Sequence, residues 1–334
     1  MRAVRFRTAG GPETLITEEL PDPVPRPGEV LIDVASAGIN RTDVLQREGG
    51  GHLPTGASDI FGLEVAGRVA ALGAPDERST GLTRGPGEWV PQVGDEIVAL
   101  LDSGAYATRA IARAGHVLLA PRGTGLIEAG GLIEAAATVV SNISMIGGFA
   151  PGDTVLIHGA TGGVGAFAIQ YVKALGGRVA VTASSPEKLR VAEDLGADLL
   201  INYTSEDFAE RTAAAGGADI ILDTVGGMYL EANLRALAPF GRIVTIGTQG
   251  GHLGQLDFRL LLAKKASIHG TLLRDRNDDQ KTAILAEVRR IVWPLLEDGH
   301  IRMPIDSIFA LEEAAAAHEH FGRKNHIGKI LLVP

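Results

Sequence analysis

The sequence predicts an α/β chain in which a β-rich front part precedes a doubly wound parallel sheet, and three observations predict it. Up to about Ala120, short β-branched runs are divided by Gly and Pro. From Asp153 such runs alternate with amphipathic helical stretches, the pattern of parallel βα units. The length, 334 residues, suits two domains at about 150 residues each.

The front part opens on Met1-Arg2-Ala3-Val4-Arg5-Phe6-Arg7. Its basic and apolar side chains alternate, so it reads as a first strand and not as a targeting segment, which needs an apolar core. Strands are expected at Val30–Ala37, Glu64–Leu72, Glu96–Leu101, Ala105–Ile111 and Val117–Leu119, with a short helix over Asp43–Arg47. The segment from Gly73 to Gly94 is polar and rich in Gly and Pro, and reads as a long surface loop. The apolar stretch from Gly131 to Ala150 is broken by Glu134, Ser141, Asn142, Ser144 and a Gly pair, so no bilayer span is expected there.

In the back part, strands are expected at Thr154–His158, Arg178–Thr182, Leu199–Asn202, Ile220–Asp223, Gly241–Ile246 and Ser267–Gly270. Helices fill the gaps at Val164–Leu175, Pro186–Leu195, Glu206–Ala214, Tyr229–Leu237 and Phe258–Lys264. A helix over Asp279–Leu296, a strand over Ile305–Phe309, a helix over Leu311–Phe321 and a closing strand over Lys329–Val333 complete the chain.

Composition narrows the function classes. Lys and Arg number 31 against 40 Asp and Glu, a net charge of −9, and aromatic residues make up 4%. Such a chain lacks the basic, base-stacking surface of a nucleic-acid binder. With no Cys, a thiolate nucleophile, an iron–sulfur cluster and every zinc site built on Cys are excluded. A cytoplasmic protein is expected.

The strongest local motif is Val155-Leu156-Ile157-His158-Gly159-Ala160-Thr161-Gly162-Gly163-Val164-Gly165, an apolar strand running into a glycine-rich turn and a helix. Gly162 and Gly163 let backbone approach a pyrophosphate, Gly165 lets helix and strand pack closely, and the helix start supplies N–H groups. The next strand selects the cofactor. It ends Thr182-Ala183-Ser184-Ser185-Pro186-Glu187-Lys188, with no acid at its tip to hold a ribose 2′-hydroxyl. The Ser184 and Ser185 hydroxyls and the Lys188 ammonium can receive a 2′-phosphate, which favours NADP(H) over NAD(H). Ser185-Pro186-Glu187 also reads as a helix start, and both roles can hold at once.

These residues, with further blocks, resemble the medium-chain dehydrogenase/reductase superfamily, and within it the zinc-free NADPH:quinone oxidoreductases of the tumour-suppressor-inducible branch. The blocks are Ala37-Gly38-Ile39-Asn40-Arg41-Thr42-Asp43, Phe61-Gly62-Leu63-Glu64-Val65-Ala66-Gly67, Val93-Gly94-Asp95, the glycine turn, Leu200-Ile201-Asn202-Tyr203, Asp223-Thr224-Val225-Gly226-Gly227, Leu272-Leu273-Arg274-Asp275-Arg276 and Ile327-Gly328-Lys329. The resemblance implies a GroES-like catalytic domain over 1–125 and 272–334 and an NADP-binding Rossmann domain over 126–271. It implies that Asn40 and Thr138 flank the nicotinamide and that Thr161, Gly162, Gly163 and Val164 hold the pyrophosphate. Ser184, Ser185, Lys188 and Tyr203 would take the 2′-phosphate end of the adenosine, and Gly247, Thr248 and Gln249 would line the nicotinamide side. Leu273, Arg274, Lys324 and Asn325 are further contacts it implies. It also implies a homodimer paired through Ser267–Gly270.

In the zinc-dependent relatives a Cys stands in the place of Asn40 and a His in that of Leu63, so no metal is expected. Without such a Lewis acid the acceptor must itself be a good hydride acceptor, a quinone or an α,β-unsaturated carbonyl. Catalysis is then mainly positioning, with Asn40 either orienting the nicotinamide or hydrogen-bonding the acceptor oxygen. Asp43 reads as a helix-capping residue, while Glu64 reads equally as a structural partner and as a site residue. Three features depart from the family pattern: Gly51 and His52 stand where relatives often carry a Tyr, the Gly73–Gly94 loop is longer than the family's usual turn, and Thr138-Val139-Val140 replaces a Thr-Ala-aromatic run. The leading expectation is an NADPH:quinone reductase. An enoyl or 2-alkenal reductase, or a low-turnover NADPH-binding protein, are the alternatives.

Overall fold

The computed structural model describes residues 1–50, 53–54, 56–75 and 89–334. Gly51, His52 and most of the expected loop between Gly73 and Gly94 lie outside the described residues. Along the chain run β1 (Arg2–Phe6), β2 (Leu15–Glu19), β3 (Glu29–Gly38), α1 (Arg41–Arg47), β4 (Glu64–Leu72), β5 (Glu96–Leu100), β6 (Arg109–Arg113), β7 (Val117–Leu119) and α2 (Ile133–Val139). Then come β8 (Thr154–His158), α3 (Gly163–Ala174), β9 (Arg178–Ala183), α4 (Pro186–Asp194), β10 (Leu199–Asn202), α5 (Phe208–Ala214), β11 (Ala218–Asp223), α6 (Leu230–Ala236), β12 (Leu237–Thr245), α7 (Phe258–Lys264) and β13 (Ser267–Gly270). The last elements are α8 (Asp278–Glu287), α9 (Trp293–Glu297), β14 (Ile305–Ala310), α10 (Ala314–Gly322) and β15 (Lys329–Val333).

The chain forms two compact units: Met1–Ala135 with Arg274–Glu297 and Met303–Pro334, and Ala136–Leu273 with Asp298–Arg302. In the first unit the turn Glu128–Gly131 is tied to β3: the Ser36 hydroxyl donates to Ile127 O at 2.6 Å.

In the first unit a seven-stranded sheet runs β14-β15-β3-β4-β5-β7, with β6 also on β3. Its core gathers Ile32, Phe61, Val65, Ile97, Tyr106, Ile330 and Leu332. Two registers position the polar residues at the strand ends. β3 pairs β4 with Ala37 opposite Val65, and β15 pairs β3 with Leu331 opposite Gly38. Carried to the strand ends, these registers bring Glu64 beside Gly38 and Lys329 beside Asn40. The expected strand at Ala105–Ile111 begins only at Arg109. Tyr106 N–H donates instead to Phe61 O at 2.8 Å and Tyr106 O accepts from Val4 N–H at 2.8 Å, so this segment is bonded to other chain neighbours before it joins β3.

In the second unit six parallel strands run β10-β9-β8-β11-β12-β13, the doubly wound order that reverses between β8 and β11. Leu156, Ala180, Ile201, Ile221 and Ile243 fill its core.

Helix α2 continues into a π-helical stretch, Val140–Ile146, and its neighbourhood was not legible as a helix in the sequence. Glu128–Ile146 is the one helix among the described residues long and apolar enough to cross a membrane, and 78% of its apolar window is buried inside the protein.

Candidate active site

The glycine turn follows β8 and opens α3. Gly159 has a φ of +84°, which favours glycine, and Gly162 stands in extended backbone just before the helix. A Cβ placed on Gly165 would meet Gly159 O at 2.1 Å, so this position is glycine because helix and turn touch there. A Cβ placed on Gly162 would meet nothing within 4 Å, so its front is open. Thr161 is buried, whereas Gly162, Gly163 and Val164 are half-buried. Before the turn, His158 is locked in the interior: its Nδ1 lies 2.9 Å from Thr182 Oγ1 and its Nε2 lies 2.8 Å from Asn233 Oδ1. Burial holds its pKa below the usual value, so the ring is a neutral core group.

Neighbouring strand ends carry Ser184, Ser185, Tyr203, Gly247, Thr248 and Gln249 on the same carboxyl edge. Asn202 of β10 pairs with Ala183 of β9, and Tyr203 N–H donates to Ala183 O at 3.2 Å, which sets Tyr203 beside Ser184. The Tyr203 residue is 45% exposed, a ring left uncovered at the sheet edge. Ser185 Oγ accepts from Lys188 N–H at 3.4 Å, so the helix-capping role is present, while Ser184 is half-buried and uncharged at the strand tip. Past β12, Gly247 is half-buried and Thr248 and Gln249 are exposed; Gln249 N–H donates to Thr224 O at 3.2 Å. The loop after β11 is shaped by buried Asp223, whose carboxylate accepts from Val225 N–H at 2.7 Å and from the Thr245 hydroxyl at 3.2 Å. Thr138 is buried, with its carbonyl accepting from Asn142 Nδ2 at 2.7 Å, and Leu273 is buried too. Lys324 and Asn325 belong to the first unit, on an exposed turn after α10 where Lys324 takes a φ of +56°.

In the first unit three of the motif blocks meet at one point. Asn40 stands at the start of α1, Glu64 at the start of β4 and Lys329 at the start of β15. Glu64 is 0% exposed and Lys329 4% exposed. The Lys329 ammonium donates to Glu64 Oε1, to Asn40 Oδ1 at 2.8 Å and to Ile39 O at 3.1 Å, so its three N–H groups all have partners. The Asn40 amide nitrogen donates to Glu64 Oε1 at 3.0 Å and to Gly38 O at 3.3 Å. Glu64 Oε2 accepts from Glu134 N–H at 3.0 Å at the start of α2. A Cβ on Gly38 would meet Glu64 Oε1 at 2.4 Å, which explains the glycine before Ile39.

Around this cluster lie further polar groups. Asp43 accepts from Asn40 N–H at 2.8 Å, the capping role expected, and from the Tyr106 hydroxyl at 3.0 Å. Burial pushes its carboxyl up to about 6. Tyr106 OH lies 3.2 Å from His318 Nε2, and burial followed by the Arg47 charge holds that imidazole down to about 3. Half-buried Glu134 is pushed up to about 8 by desolvation and then by the Glu64 carboxylate. Among the described residues no three His, Asp or Glu side chains gather as metal ligands.

Sequence reasoning left Lys329 out of the site and Glu64 undecided. The available signal was a lysine opening an otherwise apolar closing strand, Lys329-Ile330-Leu331-Leu332-Val333.

Residues 26–122 match the alcohol dehydrogenase GroES-like domain family, and residues 163–288 match the zinc-binding dehydrogenase family. The chain is 30% identical to a quinone oxidoreductase of Pseudomonas aeruginosa, over 100% of this chain and 99% of the relative. It is 29% identical to a 2-haloacrylate reductase of a Burkholderia species, over 97% of this chain and 96% of that one. Among solved structures, it superposes on Escherichia coli quinone oxidoreductase complexed with NADPH with a TM-score of 0.85 at 26% identity, covering 100% of both chains.

Proposed function

The chain belongs to the medium-chain dehydrogenase/reductase superfamily, and from that premise we propose that it is an NADPH-dependent, zinc-independent reductase whose hydride acceptor is a quinone. The observation that carries the cofactor reading is the open glycine turn at the start of α3, beside a β9 tip that bears hydroxyls and no acid. These residues fit an adenine dinucleotide phosphate. Backbone at Thr161, Gly162, Gly163 and Val164 takes the pyrophosphate, since Gly162 leaves its front clear. Ser184, Ser185 and Lys188 take the 2′-phosphate, and the uncovered Tyr203 ring lies against the adenosine. Asn40, Thr138, Gly247, Thr248, Gln249 and Leu273 line the nicotinamide end, with Lys324 and Asn325 as outer contacts.

NADPH, when bound, supplies hydride transfer from its nicotinamide ring. The protein's part is to hold the reactants in register and keep water out, with Asn40 as the residue nearest the chemistry. Zinc independence follows from the sequence, where Asn40 and Leu63 stand at the positions that carry Cys and His in zinc-dependent relatives.

A second reading, reduction of an α,β-unsaturated carbonyl, is favoured by the similarity to a 2-haloacrylate reductase. NADPH oxidation rates with 1,2- and 1,4-quinones against simple enones separate the two: faster quinone turnover supports the first reading, and turnover of enones alone replaces it with the second. We also place the enzyme in the cytoplasm as a homodimer. β13 ends the six-stranded sheet, no further strand among the described residues pairs with its outer edge, and a second copy's β13 would pair with it. A monomeric mass in solution would refute the dimer.

A further inference from the structure

We propose that Lys329, acting with Glu64, is a positioning residue that fixes the Asn40 carboxamide so that it presents its oxygen, and not its nitrogen, to the nicotinamide carboxamide. The proposal rests on the reading of Asn40 as a nicotinamide-site residue.

Both charges of the pair are buried. An ammonium and a carboxylate removed from water carry a desolvation penalty that a pair of packed apolar side chains would avoid. Nothing in the sheet requires charges at these positions, because the rest of β15, Ile330-Leu331-Leu332, is apolar and buried. What the pair does is bond both polar atoms of the Asn40 carboxamide. Lys329 donates to its oxygen at 2.8 Å and Glu64 accepts from its nitrogen at 3.0 Å. A carboxamide between a cation and an anion can sit only one way round, since turning it over would set donor against donor and acceptor against acceptor.

The consequence is a definite hydrogen-bonding character. Both Asn40 N–H groups are engaged, one by Glu64 and one by Gly38 O. The oxygen has a second lone pair after accepting from Lys329, and Asn40 is the least buried of the three residues. Asn40 therefore offers a ligand an acceptor. The matching donor on a nicotinamide is its carboxamide NH₂, whereas the oxygen of a quinone has no proton to give. Of the two roles the sequence left open for Asn40, the geometry supports orienting the nicotinamide.

A cofactor analogue reads this out. In 3-acetylpyridine adenine dinucleotide phosphate, an acetyl group without N–H replaces the carboxamide. The quantity measured is the ratio of kcat/KM for NADPH to that for the reduced analogue, compared between variants so that the intrinsic reactivity of the two nucleotides cancels. Lys329→Met removes the clamp; Lys329→Met with Glu64→Gln removes it without leaving a buried carboxylate, should the single variant fail to fold. Asn40→Ala removes the acceptor itself. The ratio should fall about tenfold in Asn40→Ala and by a similar factor in the Lys329 variants, the effect of one hydrogen bond. Adding the Lys329 change to Asn40→Ala should then do nothing more. A wild-type ratio in Asn40→Ala, or in any folded Lys329 variant, overturns the proposal, as does an additive effect of the two changes. A merely structural role would lower kcat/KM for both nucleotides alike and leave the ratio unmoved. If the wild-type enzyme oxidises neither nucleotide, it is the NADPH reading that fails.

Discussion

The carboxyl edge of the second unit and the Asn40 cluster of the first are built on opposite plans. The edge is made of short local segments: one strand, one glycine turn and one helix start, flanked by the polar tips of neighbouring strands. The cluster is made of side chains 24 and 265 residues apart in sequence, brought together by two strand registers. A site of the first kind depends on what each position lacks, such as a Cβ; a site of the second depends on charges that balance one another in the interior. The two should therefore break differently.

The largest effect is expected in the charge-balanced cluster. Lys329→Met leaves Glu64, fully buried, without its cation and should cost on the order of 3–5 kcal/mol in urea unfolding, most of which Glu64→Gln in the same chain restores. A loss no greater for the single than for the double variant would remove the contrast between the two regions. Next is the glycine turn. Gly165→Val drives side-chain atoms into Gly159 O and should cost about 1–3 kcal/mol while abolishing NADPH binding. Gly162→Ala should leave unfolding within about 0.5 kcal/mol of wild type and weaken only the nucleotide. Equal stability losses for the two glycines would contradict the separation of packing from binding there. A third comparison lies at the β9 tip: Lys188→Ala should raise the Kd for NADPH about tenfold and that for NADH little, as one charge-assisted contact predicts.

The last comparison is a pH dependence. In the folded protein the Glu134 carboxyl titrates near 8, against 4.5 for an unperturbed group, so the folded state holds an extra proton between these values. Stability contributed by that proton is present below the lower value and is lost as pH rises through the window. Glu134→Gln should thus gain stability relative to wild type as pH rises between 5 and 8, as read from paired unfolding curves. A flat difference would place Glu134 in ordinary solvent.

The same contrast decides what could be read in advance. The six strands of the second unit and the order of its helices were legible because each β-branched run is bounded by Gly or a polar turn, and the glycine motif carries its own reason. The register that carries Lys329 to Asn40 was not, since it links β15 to β3 and no local pattern encodes that pairing. β2 carries no strand signal, because Thr17-Glu18-Glu19 gives it no apolar alternation. α2 was hidden by the Gly130-Gly131 pair just before it, where a Cβ would strike Ser36 or press on Lys329. In each case the residue types were visible, and the contact that explains them was not.

The central claim, a zinc-independent reductase that takes its hydride from NADPH, is tested most directly by steady-state oxidation of NADPH and NADH with a 1,4-quinone, in the presence and absence of a chelator. Turnover with NADPH preferred, and unchanged on chelation, is the predicted result. Preference for NADH, loss of activity with chelator, or no turnover with any quinone or enone would contradict the claim.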